Sequence, residues 1–374
     1  MKLCHMSCRS VPRRSVASVV GAPYAAAYPD GRAREVSSEM KLLQPLRRAK
    51  RRLGRYLRDR EMDRAFRSGA SPAPWQFVMF AGIGDQMLWL SLLPEFRRRA
   101  DREVEVYCQD RSSTLAGMYA GRAFDRLIKI PDLSDRAMRL LKSRNELLPG
   151  RAQLAWHDCY AEDDLKYLFG KDQSNGDLVR ELLMLPADAP MHAPACTDAD
   201  RRAAIEHMHR LNLPIGNTVL LAPWARSLFN LPMPWWEALV RVLLAHGFMV
   251  ATNIGNRGRS LDPRGEGQTL ETLPGTVAVD IPLTQAIPFA ELCGYFIGIR
   301  SGLCDLLAFA NVRSLVVCCY PRKFEAFNRK VHDIWSVRRM YGRSDIVEHF
   351  QALEEPFDAT WLTQWVSDMR APAS

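Results

Sequence analysis

The residues best suited to do chemistry in this 374-residue chain sit where short apolar runs break into polar turns. The most informative stretch is Tyr295-Phe-Ile-Gly-Ile-Arg300-Ser301-Gly302-Leu-Cys-Asp305-Leu-Leu-Ala-Phe-Ala310. Tyr295 to Ile299 has strand character, and Leu303, Leu306, Leu307 and Ala310 then recur at helical spacing. Ser301 suits an N-cap, and Asp305 falls in the first turn, where a carboxylate complements the positive helix end. Backbone N–H groups at a strand–turn–helix junction of this kind bind anions, phosphate above all. Arg300 beside the turn adds a guanidinium able to fork onto phosphate oxygens. An ordinary strand-to-helix turn has the same local pattern and binds nothing.

A second junction, Gly82-Ile83-Gly84-Asp85, follows the apolar run Trp75 to Phe80. It begins like a dinucleotide fingerprint, but Met87 stands at the third glycine position and no acidic residue clearly ends the next strand, which excludes nicotinamide binding. Gly82 and Gly84 let a substrate approach the backbone closely. Asp85 can take a proton from an acceptor hydroxyl, or it can simply cap the helix that follows. A third junction, Leu221-Ala-Pro-Trp-Ala-Arg226-Ser227-Leu-Phe-Asn230, places Arg226 and Ser227 to clamp a diphosphate. Trp235 and Trp236 behind it read as core rather than as ligand-stacking rings. Asn253, at the end of a strand, joins the candidate ligand contacts. His157 and Asp158 end another strand, and His157 is a candidate base or acceptor contact; a lone histidine there is more commonly structural.

These junctions need strands to carry them. Trp75 to Phe80, Glu103 to Cys108, Arg126 to Ile130 and Gln153 to Trp156 read as strands with helices between, the pattern of a parallel, doubly wound sheet. Pro186, Pro190 and Pro194, followed by Thr197-Asp198, mark a crossing and a new helix start. The alternation then restarts with strands at Thr218 to Ala222, Gly247 to Ile254, Thr276 to Ile281, Tyr295 to Ile299 and Ser314 to Cys319, the last closing the sheet. Phe350, Leu353, Trp361, Leu362, Trp365 and Met369 read as one or two terminal helices. The expected division is a segment 1–39, disordered or preceding a true start at Met40; a basic amphipathic helix, 40–70; an N-terminal domain, 71–190, on the acceptor side; a C-terminal nucleotide-sugar domain, 191–345; and helices 346–374 packing across both domains.

Charge is unevenly placed. Residues 1–70 hold 17 Lys and Arg against 6 Asp and Glu, a net of +11, while the remainder holds 34 against 36, a net of −2. The folded part is therefore nearly neutral, which argues against nucleic-acid binding. Between Met40 and Ser68, apolar residues recur at threes and fours among many arginines. Such a helix suits either an anionic membrane surface, through residues 40–67, or a solvated face of the protein itself. Arg13-Arg14 ahead of a short apolar stretch faintly resembles an export signal, which Pro23 spoils. Nine cysteines without paired CxxC units read as reduced thiols in a cytoplasmic protein. No cluster with metal-ligand spacing is evident, so no metal or cofactor is expected.

The three junctions, in this order, resemble the heptosyltransferase-like glycosyltransferases of the GT-B fold, glycosyltransferase family 9. Gly82 to Leu93 is similar to the family's strand, Gly-Leu/Ile-Gly-Asp turn and apolar helix; Leu220 to Leu239 to its Trp-Pro helix entry; Tyr295 to Ala310 to its Asp-Ser-Gly turn and helix. The sequence departs from the pattern in that Arg300 replaces the Asp of that turn, Asp305 its His, and Phe229 or Asn230 a Lys. The resemblance implies two Rossmann-like domains facing across a cleft. It also implies an inverting, metal-independent transfer from a nucleotide-diphosphate sugar to an envelope-polysaccharide, lipopolysaccharide or lipid-linked glycan acceptor, on the cytoplasmic side and peripherally on the inner membrane. Asp85 would be the base, Gly84, His157 and Asp158 would face the acceptor, and Arg226, Ser227, Asn253, Arg300, Ser301, Gly302 and Asp305 would face the donor. A nucleotide-sugar epimerase, or a non-catalytic scaffold of polysaccharide assembly, are the alternatives.

Overall fold

Strand β1 (Trp75–Met79) is followed by helix α1 (Ile83–Arg99), and this pair sets the frame of the first half. A computed structural model of the chain describes residues 74–79, 82–130, 152–153, 170–225, 229–255 and 272–370. Around β1 lie β2 (Val104–Gln109), α2 (Asp110–Gly117), β3 (Arg126–Ile130) and β4 (Ala152–Gln153), giving a parallel sheet of order β3-β2-β1-β4. Helices α3 (Asn175–Leu182) and α4 (Asp198–Arg210) lead to the second half. Thr197 starts α4 as the sequence predicts: its hydroxyl accepts from the Asp200 N–H while the Asp200 carboxylate accepts from the Thr197 N–H.

The second sheet contains β5 (Thr218–Ala222), β6 (Met249–Asn253), β7 (Val277–Val279), β8 (Gly294–Ile299), β9 (Arg313–Tyr320) and β10 (Val347–Ala352) in the order β10-β9-β8-β5-β6-β7. Its helices are α5 (Met233–Ala245), α6 (Ala286–Cys293), α7 (Gly302–Leu307), α8 (Glu325–Ile334), α9 (Val337–Tyr341) and α10 (Ala359–Arg370). All its strand pairs are parallel. Strand order reverses at β1 in the first sheet and at β5 in the second. Open α/β sheets hold their ligands just outside the carboxyl ends of the strands at such points. The segments that follow β1, β5 and β8 therefore stand at the sheet edges where such folds hold ligands.

The central strands β5, β8 and β9 are buried on both faces, with alternate residues serving two cores. Val219, Leu221, Ile297, Ile299, Leu315 and Val317 pack under α5 and α10 with Trp235, Trp236, Leu362 and Trp365. Leu220, Ala222, Phe296 and Val316 face the other way, into a core that also holds Phe77, Met79 and Val106 of the first sheet. One apolar core thus runs between the two sheets. Helix α1 lies inside it, buried without interruption from Gln86 to Phe96. Its buried stretch carries Gln86, Ser91 and Glu95 among the apolar residues, and both halves of the molecule cover it.

Two expectations for the terminal segment change. Residues 347–352 form β10, an edge strand on β9, not part of a helix, so the second sheet extends beyond residue 345. Helix α10 packs on α5 in the second core, not across both halves. Trp235 and Trp236 are core residues, 3% and 0% exposed, as the sequence reading has them. The basic segment 40–67 lies outside the described residues. None of the described helices is long and apolar enough to cross a membrane.

Candidate active site

The turn after β8 and the turn after β1 meet. A Cβ placed on Gly302 would lie 2.6 Å from the Gly84 backbone N and 2.9 Å from the Ile83 Cβ. One placed on Gly84 would lie 2.3 Å from the Asp305 Oδ2 and 3.3 Å from the Gly302 Cα. Real side chains do not tolerate such separations, so only glycine fits at either position. Helix α1, entered at Gly82 without a side-chain cap, and helix α7, entered at Ser301 likewise, therefore abut at their first turns. Ser301 occupies the N-cap position that its residue type suggests, but its hydroxyl makes no capping bond; its Oγ lies 3.9 Å from the Cys304 Sγ.

Beneath this contact Arg300 and Asp305 are joined. The guanidinium donates from Nη1 to Asp305 Oδ2 at 2.7 Å and from Nη2 to Oδ1 at 2.9 Å. Its Nε donates to the Trp335 carbonyl and Nη1 also to the Ser301 carbonyl, both at 2.9 Å. The Arg300 and Asp305 side chains are 6% and 2% exposed. Burial would lower the arginine's pKa, but the Asp305 charge and hydrogen bonds outweigh it and the guanidinium is held more firmly protonated than usual. Burial also pushes the Asp305 carboxyl up, against the pull of Arg300. We take the pair as ionised, because each carboxylate oxygen accepts one prong of the fork. The partly buried Tyr341 lies beside the same carboxylate. Cys304 is not a nucleophile here: burial pushes its thiol up to about 11, and it donates to the Ile299 carbonyl.

Arg300 and Asp305 are therefore not, in this arrangement, groups reaching into solvent for a diphosphate, as the sequence reading has them. They hold one another. The cause is geometric: the turn folds the helix back on the strand end, so side chains five apart in sequence face each other.

Asp85 lies in the first turn of α1, half-buried, one residue from Gly84 and hence beside the meeting point. Asn253 ends β6, and its Oδ1 accepts from the Gly255 N–H at 3.2 Å. It stands two strands from β8 and is not brought to the Gly84–Gly302 contact. Arg226, Ser227, His157 and Asp158 lie outside the described residues. Asn230, at the far end of the loop that carries Arg226, is engaged with the Ala225 backbone on both sides. Its Oδ1 accepts from the N–H at 2.7 Å and its Nδ2 donates to the carbonyl at 3.0 Å. The structure adds a partner that no sequence signal reveals, the Trp335 carbonyl, since a main-chain acceptor leaves no mark on residue type.

No protein-family model matches the sequence, and no curated protein matches it. Solved structures do. A family 9 glycosyl transferase from Veillonella parvula superposes with a TM-score of 0.50 at 11% identity, over 81% of this chain and 90% of that one. ADP-heptose LPS heptosyltransferase II of E. coli superposes with a TM-score of 0.51 at 12% identity, over 79% and 98%. The chain has the fold of the family 9 glycosyltransferases. Two of the three helix entries that the sequence resemblance singles out, those after β1 and β8, touch in this chain.

Proposed function

We propose that the chain is a glycosyltransferase. It moves a sugar from a nucleotide-diphosphate sugar to a glycan or lipid-linked glycan acceptor of the lipopolysaccharide type, with inversion and without a metal. The observation that carries this reading is the convergence of the candidate turns after β1 and β8 at the carboxyl edges of two parallel sheets. The heptosyltransferase neighbour, which uses ADP-heptose, supports a nucleotide-sugar donor. The donor would lie at the edge of the second sheet, against the Ser301-Gly302 backbone, with Arg226, Ser227 and Asn253 as further contacts. Cationic side chains and helix ends can neutralise a leaving diphosphate in place of a metal. Asp85 would take the acceptor's proton from the side of the first sheet, where Gly84 permits close approach and His157 and Asp158 are further acceptor-side contacts. Residues 40–67 would hold the protein to an anionic membrane surface on the cytoplasmic side.

A second reading, a non-catalytic scaffold of polysaccharide assembly, is favoured by a specific observation. The positions that depart from the family pattern are engaged internally, Arg300 with Asp305 and Asn230 with Ala225. The two readings separate when nucleotide sugars are incubated with the full chain and a lipid-linked acceptor while nucleoside diphosphate release is followed. The enzyme reading expects acceptor-dependent release that Asp85→Asn abolishes. Absence of release and of binding across ADP, UDP, GDP and CDP sugars would leave the scaffold.

A further inference from the structure

Among the described residues, Phe324 and Phe327 are the aromatic side chains left exposed, at 37% and 47%, and they lie three residues apart. They belong to helix α8 (Glu325–Ile334) and to the 3-10 turn Arg322–Phe324 that leads into it from the end of β9. The helix buries Asn328, Val331, His332 and Ile334, so Phe327 stands on its outer side. Lysines bracket the two rings. Lys323 holds its ammonium 4.9 Å from the centre of the Phe324 ring, and the exposed Lys330 follows Phe327 by one turn. Residues 322–330 carry four Lys and Arg against one acid, a net of +3, in a part of the chain, 71–374, whose net is −2. The support beneath is firm. Arg322 is paired with Glu355 and Arg329 with Glu325, and the Arg329 guanidinium lies 5.6 and 5.0 Å from the ring centres of Tyr320 on β9 and Phe350 on β10.

We propose that this face, formed by Lys323, Phe324, Phe327 and Lys330, rests on an anionic lipid bilayer. A single exposed apolar side chain calls for no explanation, but two on one helix turn, flanked by lysines, have the composition of an interfacial contact. At a bilayer the rings enter the boundary between headgroups and acyl chains. The lysine stems lie along that boundary while their ammonium groups stay among the phosphates. The surface potential of anionic lipid attracts each lysine so placed. A second copy of the face would meet it lysine against lysine, which like charges oppose, so the charge selects anionic lipid over self-association. The contact belongs to the folded part of the chain and is separate from the role given to residues 40–67. Strands β8 and β9 are parallel, so it lies at the same edge of the second sheet as the turn after β8. The inference concerns where the protein sits and does not rest on the transfer chemistry.

Sedimentation of the full chain with vesicles tests this, using phosphatidylcholine mixed with phosphatidylglycerol and phosphatidylcholine alone. Residues 40–67 are the same in every protein compared, so their own attraction does not enter the difference. Phe324→Ser with Phe327→Ser is expected to weaken partitioning onto the mixed vesicles about tenfold, through lost apolar burial. Lys323→Ser with Lys330→Ser is expected to weaken it about fivefold for each lysine removed, and high salt should shrink that difference. Both variants should melt with the wild type, since the altered side chains are exposed. If either pair leaves partitioning unchanged, or the wild type ignores the mixed vesicles, the proposal is overturned. Amine acylation of the wild-type chain decides without any variant. Mixed vesicles should slow the labelling of Lys323 and Lys330 while neutral vesicles do not, and labelling indifferent to the mixed vesicles overturns the proposal. Self-association of the wild type that the phenylalanine pair abolishes, with labelling indifferent to vesicles, would assign the face to a second copy instead. The transfer assay is judged apart: failure to hold vesicles leaves it untouched, and a chain that transfers no sugar can still hold the bilayer.

Discussion

The turns after β1 and β8 have the same plan, a buried strand, a glycine turn and a helix, yet their carboxylates are treated in opposite ways. Asp85 stays half-exposed in the first turn of α1, while Asp305, in the first turns of α7, is buried against an arginine. The difference lies in what stands before each glycine. Gly82 and Ile83, before Gly84, carry no charge, whereas Arg300 follows β8 directly and its guanidinium turns back onto Asp305. One carboxylate stays partly exposed at its helix entry; the other ties its turn to the strand end. The charge that precedes the glycine turn goes with how deeply the carboxylate behind it is buried.

The largest effect that would sharpen this contrast is at Asp85. Asp85→Asn should lower transfer by about 10²–10⁴-fold, the usual contribution of a general base, while donor affinity and melting temperature stay close to those of the wild type. Steady-state kinetics with a matched donor and acceptor reads it; near-normal turnover would make Asp85 only a helix-end residue. Arg300→Ala comes next, because it leaves Asp305 buried without a partner. Denaturant unfolding should show a loss of about 3–5 kcal/mol, whereas Arg300→Met with Asp305→Leu, which removes both charges, should cost far less. If the single and double variants lose the same stability, the pair is not what closes the turn.

An acid titration separates the same region by a different group. His332 of α8 is buried, its Nε2 facing the Cys319 carbonyl, and burial together with the Arg300 charge lowers its pKa to about 4. A histidine kept neutral in the native state binds its proton more readily when unfolded. Its contribution is therefore intact above about pH 6.5 and is lost as pH falls from there towards 4, amounting to about 3 kcal/mol at the end of the window. His332→Leu should remove that slope from the pH dependence of unfolding, and an unchanged slope would assign the acid loss elsewhere. The smallest effect concerns caps. Thr197→Ala should cost about 1 kcal/mol, since its hydroxyl accepts from the Asp200 N–H, whereas Ser301→Ala should change stability by less than about 0.5 kcal/mol, its hydroxyl making no such bond.

Strands with continuous apolar runs, such as Thr218 to Ala222 and Tyr295 to Ile299, were legible in the sequence because both of their faces are buried. Strand β10 was not. As an edge strand it interleaves Glu348, His349 and Gln351 with few apolar residues, and Glu348 serves to accept from Ser336 and the Val337 N–H at the start of α9. Of the two glycines that read as places of close approach, Gly82 and Gly84, the structure gives that role to Gly84, with Gly302 opposite it. What approaches, another part of the chain, is not encoded locally. The Arg300–Asp305 pair escaped for a related reason: a separation of five residues is not a helical pairing distance, and only the reversal of direction at Ser301 brings the two together.

The glycosyltransferase reading is tested most directly by following nucleoside diphosphate release from nucleotide sugars in the presence of a lipid-linked acceptor. The expected result is acceptor-dependent release by the wild-type chain that Asp85→Asn lowers by about 10²–10⁴-fold. No release with any donor, or release that Asp85→Asn leaves unchanged, would contradict it.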